Sequence, residues 1–441
     1  MRKININTQA NTLRTLLLSI LLLGLITPGI AFGARPTISK KSRGPAKPVV
    51  ETSDAIVREW NEIAYTTIGG TGGPFGGTRF MTTVQVAVFE AVNAITGKYQ
   101  PYLGTISAPA EASPEAAAVM AAHGVLVAYF PGQAMNLDMR RDASLATIPN
   151  GQAKTDGIAV GMAAAAAILL DRTNDGSSPP MVYNPTSLDP YQWQLTPGCA
   201  AGVFRHWSNV RPFAIASSSQ FRADPPPALE SGVYAQDFNE VQAVGDLNST
   251  QRPADRADVA RLYAFAVPPL LWNSTLLQIL STRNDEITDT ARVMALMNMT
   301  INDGSISVVE SKYFYTAWRP VTAIPRGDED GNKWTTPSAF TPYVSTPCHP
   351  TYPSAHGTLS GGALKVLERA YGRFRHSITI THTMAPGVEI QYSDLRAILA
   401  DISDARVYGG NHFRFDQHGG ERQGEAIAKY IYENRLQKEG D

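Results

Sequence analysis

The chain has 441 residues, enough for one large domain or two of ordinary size. Hydrophobic residues make up 43% and charged residues 17%, a globular balance that excludes a mainly disordered polymer. A net charge of −1 excludes a global pull toward nucleic acid or an anionic membrane, so any bound anion must be held by a local cluster of positive groups.

The first residues read as a targeting segment. Met-Arg-Lys forms a basic start, Leu16 to Ile30 is a short apolar run broken by Pro28 and Gly29, and small residues follow at Ala31-Phe32-Gly33. A signal peptide over residues 1–33 is expected, with a secreted or periplasmic product, followed by a Pro- and Lys-rich leader over 34–53 that is predicted to be disordered. Helices are predicted over Ala55 to Thr66, Phe80 to Ile95, Ser113 to Tyr129, Gln152 to Arg172, Ala254 to Leu280 with an interruption at Pro268-Pro269, and Asn284 to Met299. Only Ser377 to Thr383 has a convincing strand alternation, so the fold class is mainly α, built as helical bundles. Gly69 to Gly77, Asn174 to Pro190 and Ala223 to Pro227 read as loops. The irregular stretch from Asn174 divides an N-terminal helical region, 54–227, from a C-terminal bundle, 228–441. Cys199 and Cys348 are either one disulfide, as export permits, or two buried thiols. Asn248, Asn273 and Asn298 lie in N-x-S/T sequons.

Three segments carry chemistry. Lys312 and Arg319 stand seven positions apart among Tyr313, Phe314, Tyr315 and Trp318, a spacing that puts both cations on one helix face, with Pro320 ending the helix. Ion pairing with Glu310 is the alternative use of these cations. In Pro353-Ser354-Ala355-His356, Ser354 suits an N-cap, so the amides of Ala355 and His356 would mark an anion-binding helix start with His356 placed to exchange a proton. Finally, Arg406 to Asp416 supplies an arginine, a Gly409-Gly410 loop able to approach a ligand, and His412 with Asp416 one helical turn beyond to orient its ring. Three cations, helix-start donors and two histidines suit an oxyanion, as in phosphoryl transfer or vanadate binding, better than an acyl-transfer centre. No G-x-S-x-G elbow surrounds Ser354.

The order K-x6-RP, PS-x-H and R-x5-H-x3-D resembles the three-part signature of vanadium-dependent haloperoxidases and type 2 phosphatidic acid phosphatases. Phe89-Glu-Ala-Val-Asn with Tyr99-Gln-Pro-Tyr, Arg211-Pro-Phe, Phe221-Arg with Pro225-Pro-Pro, and Asp303 extend the resemblance to the large haloperoxidases over most of the mature chain. It implies vanadate as cofactor, bonded to His412 and held by Lys312, Arg319, Ser354, the Ala355 amide and Arg406. His356 would deprotonate hydrogen peroxide, Lys312 would also assist halide attack, and Asp416 would orient His412. The co-substrates implied are peroxide and a halide, with the organic acceptor open, no nucleic acid, and homo-oligomers common among relatives. His349 stands where bromoperoxidases resemble this chain more than chloroperoxidases do, which implies bromide or iodide oxidation; a loop-capping histidine is the other use of that residue. Ala355 replaces the usual glycine of PSGH and Ala405 a frequent serine. The competing reading within the same fold is an acid phosphatase with a phosphohistidine at His412, and a non-catalytic phosphate binder is a third.

Overall fold

The computed structural model describes residues 53–440; the signal peptide and nearly all of the leader expected from the sequence lie outside the described residues. In chain order the helices are α1 (Ala55–Ile68), α2 (Gly73–Thr96), α3 (Pro114–Tyr129), α4 (Ala134–Ala146), α5 (Gln152–Asp171), α6 (Gly232–Val244), α7 (Ala254–Phe265), α8 (Pro268–Leu280), α9 (Ile287–Tyr315), α10 (Pro320–Ala323) and α11 (Ala355–Tyr371). A two-stranded antiparallel sheet, β1 (Phe374–Thr381) with β2 (Glu389–Asp394), precedes α12 (Leu395–Tyr408) and α13 (Arg414–Asn434). The mainly helical class holds, and the predicted strand is β1.

Two helices form the spine. Almost every position of α2 and α9 is buried, including polar side chains such as Glu90, Asn298 and Asp303 that are satisfied internally; α1, α3 and α5 gather about α2, while α11 and α13 pack against α9. Among the described residues α5 is long and apolar enough to cross a membrane, and here it lies against α2 and α3.

Helix starts account for most departures from the sequence reading. Pro268 and Pro269 open α8 instead of merely interrupting a helix, since proline at the first helical positions forfeits no hydrogen bond. Likewise α2 begins at Gly73, inside the predicted Gly-rich loop, with Pro74 in its first turn. Two of the three sequons are core residues: the side chains of Asn273 and Asn298 hydrogen-bond each other at 2.9 and 3.1 Å, fully buried, and only Asn248 is exposed.

Motifs remote from the site prove to be joints. The Asp303 carboxylate accepts the backbone amides of Phe213, Ala214 and Ile215 at 2.7–3.0 Å, and Glu90 accepts those of Tyr102, Leu103 and Gly104 at 2.7–3.1 Å. A buried carboxylate that collects several amides anchors a loop with no regular structure of its own.

The closest packing lies between α11 and α13. A Cβ at Gly420 would stand 2.4 Å from the Ser354 carbonyl oxygen and one at Gly424 2.0 Å from that of Thr358, so only glycine permits this approach. Its consequence is positional: the Ser354 amide donates to the Asp416 carbonyl at 2.9 Å, which joins two of the three sequence segments.

Candidate functional site

Lys312 lies in the last turn of α9, buried, and its ammonium donates to the carbonyls of Pro350 at 2.9 Å and Thr351 at 2.7 Å. The helix then stops. Thr316 takes a left-handed conformation, φ 49°, and Arg319 is extended at φ −92° and ψ 156°, so the expected single helical face through Lys312 and Arg319 does not form. Part of this was present in the sequence: the residue before a proline is driven out of the α region, which accounts for the extended Arg319, and Pro320 starts α10 rather than ending a helix. The two cations still converge, by a turn of the chain. Glu310 takes no part; it pairs with Arg222 at 2.9 Å.

Arg319 ties the site together. Its guanidinium donates to the carbonyls of His349 at 2.9 Å and Asn411 at 2.7 Å, and faces His412 Nε2 and His349 Nδ1, each at 3.0 Å. Ser354 caps α11 as expected, its hydroxyl accepting from the Gly357 amide at 3.2 Å. Ala355 is the first residue of that helix, where its methyl group imposes no backbone strain, and the first amides of α11 are left free by helix geometry. Arg406 sits in the last turn of α12, buried, with its Nε lacking any partner.

His412 Nδ1 meets Asp416 Oδ2 at 2.9 Å, which fixes the ring so that Nε2 presents its lone pair to the cations. Asp416 Oδ2 also accepts from the Phe413 amide at 2.9 Å and from the Thr351 hydroxyl. Thr351, within 3.1 Å of His412 Nδ1, is a positioning residue that the sequence reading missed; a threonine two residues before a proline carries no signal of this role. The Gly409-Gly410 loop has another use than ligand approach. A Cβ on Gly410 would stand 2.3 Å from the Gly245 carbonyl oxygen, so the glycine serves packing between loops.

His349, Ala355, His356, Arg406 and His412 line one cavity of about 690 Å³; Lys312, Arg319, Ser354 and Asp416 stand behind them. His418 is exposed and lines a separate surface depression with Asp237 and Glu240. Among the described residues no cluster of histidine, cysteine and carboxylate resembles a cation site.

The electrostatics demand an anion. Lys312, Arg319 and Arg406 are buried with Asp416 as the one carboxylate hydrogen-bonded within the cluster. Burial, and then the neighbouring cations, hold His356, His412 and His349 well below the usual histidine range, so all three are neutral near pH 7. Burial alone lowers Arg406 to about 10; burial, partly offset by Asp416, lowers Arg319 to about 9; and burial, partly offset by the Thr351 hydrogen bond and then by Lys312, pushes Asp416 up to about 7. Lys312 is depressed by burial and then by Arg319. Uncompensated buried charge is costly, and the unpartnered polar atoms Arg406 Nε and His356 Nε2 belong to residues of this same cavity. A tetrahedral or trigonal oxyanion satisfies both deficits, so the residues fit vanadate or phosphate.

A profile of the VCPO second helical-bundle domain matches residues 292–438, which contain all nine residues of the predicted site. Over 185 residues the chain is 28% identical to the vanadium chloroperoxidase of Curvularia inaequalis, covering 35% of this chain and 30% of that protein. The chain's likeness is to vanadium haloperoxidases. Its fold is shared over a greater length than its sequence. A bacterial vanadium-dependent iodoperoxidase superposes with a TM-score of 0.73 at 22% identity, covering 88% of this chain and 98% of that one. A holo-type bacterial vanadium-dependent chloroperoxidase gives 0.65 at 18% identity, covering 87% and 96%. The matched segment 292–438 carries the three cations and the three histidines of the cavity, with Ala355 in its PS-x-H segment.

Truncation of Lys312 tests the cradle. Lys312→Ala is expected to weaken vanadate binding by roughly 2–5 kcal/mol, the range for removing a buried charge partner, and calorimetric titration with vanadate measures it. An unchanged affinity would place this lysine outside the oxyanion site.

The histidines also set a pH dependence. A neutral buried histidine refuses the proton that its unfolded counterpart accepts below pH ~6.5, so stability is complete above that pH and declines below it. Asp416 opposes this, because its raised pKa adds a proton to the folded state between pH ~7 and ~4. Within the site the three histidines favour loss of stability in acid and Asp416 offsets part of it. Melting curves of vanadate-free protein from pH 8 to 5, for the wild type and His356→Ala, should show a smaller acid loss in the variant; an identical pH dependence would mean that His356 is not held neutral.

Proposed function

We propose that this protein is an exported vanadate-dependent haloperoxidase that oxidises bromide or iodide with hydrogen peroxide. The balanced reaction is H₂O₂ + X⁻ + H⁺ → HOX + H₂O. The observation that carries this reading is the arrangement in one cavity of His412, whose Nε2 faces Arg319, and His356, a half-buried neutral base with no partner on Nε2. Vanadate, when bound, supplies a Lewis-acid centre that activates peroxide toward halide.

The chain's own residues do the remainder. His412 Nε2 would hold the vanadium, with Asp416 and Thr351 fixing its ring. Lys312, Arg319, Ser354, the Ala355 amide and Arg406 would balance the oxyanion charge. A base that is unprotonated at neutral pH is what removing a proton from peroxide needs, and His356 meets that requirement. His349 lines the cavity beside Arg319, where a halide would approach, and this position supports the bromide or iodide preference. The Cys199–Cys348 disulfide supports export, since such bonds persist in oxidising compartments.

The deciding experiment titrates metal-stripped protein with vanadate and follows chloride, bromide and iodide oxidation, beside phosphate-ester hydrolysis on the same sample. Turnover that requires both vanadate and halide is expected, with bromide or iodide above chloride. Ester hydrolysis inhibited by vanadate, without halide oxidation, would assign the same residues to a phosphohistidine phosphatase.

A further inference from the structure

Above the oxyanion cradle the same cavity is walled by Phe75, Phe204, Phe265, Val267, Pro268 and Leu359. At about 690 Å³ it is far larger than a halide or peroxide needs and falls within the range of sites for organic ligands. Apart from the cradle, Arg261 is the one charged side chain among its described lining residues. Such a wall does nothing for small hydrophilic substrates.

Phe204 carries the argument further. It is held in a left-handed conformation, φ 64° and ψ 13°, which a bulky residue adopts only when its surroundings impose it. Those surroundings are specific: the Val203 amide donates to the Cys348 carbonyl at 2.9 Å, the Tyr313 hydroxyl donates to the Val203 carbonyl, and Cys199 is bonded to Cys348. The ring meets Phe75 edge-on at a centroid distance of 5.1 Å, a favourable aromatic geometry. Cys348 is followed at once by His349 of the cradle, so the aromatic wall and the reaction centre are fastened to the same short segment. A strained residue fixed in the wall of a reactive pocket is placed to hold something there.

We propose that this apolar chamber binds an electron-rich, uncharged aromatic acceptor such as a phenol, and that halogen is transferred to it inside the protein instead of in bulk solution. The proposal rests on the haloperoxidase reading for its oxidant. In the transfer, Ar–H + HOX → Ar–X + H₂O: a ring carbon forms the C–X bond with its π electrons, the X–O bond breaks, and the ring proton leaves with the oxygen as water. Aromatic faces at Phe75, Phe204 and Phe265 suit a flat ring, and an electron-rich carbon is what attacks an electrophilic halogen.

The test has two readouts. First, 2-naphthol is titrated calorimetrically into vanadate-loaded protein without peroxide or halide, for the wild type, Phe204→Gly and Phe265→Ser. Glycine adopts the left-handed conformation freely, so the first variant removes the ring without adding strain, and Phe265 is exposed enough for the second to fold. Saturable binding is expected, weakened about tenfold in Phe204→Gly and measurably in Phe265→Ser. Second, the ortho-to-para ratio of brominated phenol is compared with that from reagent hypobromous acid. The wild-type ratio should differ from the reagent's, and each variant should move toward it; a ratio of isomers does not depend on how fast halide is oxidised. Absence of saturable binding, variants that bind as the wild type does, or a wild-type ratio equal to the reagent's would each overturn the proposal. Absence of any vanadate-dependent halide oxidation would overturn the haloperoxidase reading and the transfer step with it, while the binding titration would still decide whether the chamber takes an aromatic ring.

Discussion

In His412→Ala, vanadate binding and halide oxidation are both expected to disappear, with turnover reduced by at least roughly 10³-fold, the scale on which removal of a covalent nucleophile is felt. The expectation follows from the ring's position. His412 Nε2 stands 3.0 Å from the Arg319 guanidinium, and its Nδ1 is fixed at 2.9 Å by Asp416, so the imidazole is the link between the cations and the carboxylate. Alanine removes that nitrogen and leaves Lys312, Arg319 and Arg406 in place, so an anion can still be attracted but has no atom to bond. Calorimetry therefore separates two contributions: orthophosphate, held by charge, should retain measurable affinity in the variant, whereas vanadate should lose the margin by which it exceeds phosphate. A variant that still oxidised bromide at the wild-type rate would remove His412 from the reaction and with it the proposed function. Melting curves guard against a collapsed fold, since Asp416 keeps its bonds from Phe413 and Thr351 when the ring is gone.

What the sequence could and could not disclose follows from where each interaction is encoded. Ser354 as an N-cap and Asp416 as the partner of His412 are local relations, set by helix starts and a one-turn spacing, and both were legible. The pairing of Lys312 with Arg319 on one face was not, because spacing alone ignored the constraint that Pro320 places on Arg319. Thr351 and the carbonyls of Pro350 and Asn411 act through the fold: their partners are 65, 38 and 92 positions away, and nothing in their own neighbourhood marks them. Glycines misled for the same reason. Gly410 reads as a ligand loop and is a contact with Gly245, while Gly420 and Gly424, unremarked in the sequence, allow α11 to seat Ser354 against Asp416. The buried pair Asn273 and Asn298 shows the limit of motif reading, since a sequon is defined without regard to burial.

His356→Ala is expected to separate binding from chemistry. The side chain lines the cavity, is half-buried, and its solvent-inaccessible Nε2 has no partner within the protein, so removing it breaks no hydrogen bond that holds another site residue. Vanadate affinity should therefore stay within a few-fold of the wild type, while turnover falls by roughly 10²–10⁴, the contribution of a positioned general base. The pH profile supplies the independent readout. In the vanadate-free state burial, and then Arg406, Lys312 and Arg319, disfavour the imidazolium; a bound anion offsets those cations and moves the histidine back up. Wild-type turnover should thus fall in acid as His356 is protonated, and the variant should lose that limb along with most of its rate. Loss of vanadate binding in parallel with activity would show that His356 supports the cradle instead, and the proton would then have to leave by another group. His349 is the alternative within the same cavity, so a remaining acid limb in His356→Ala that vanishes in His349→Ala would transfer the role to it.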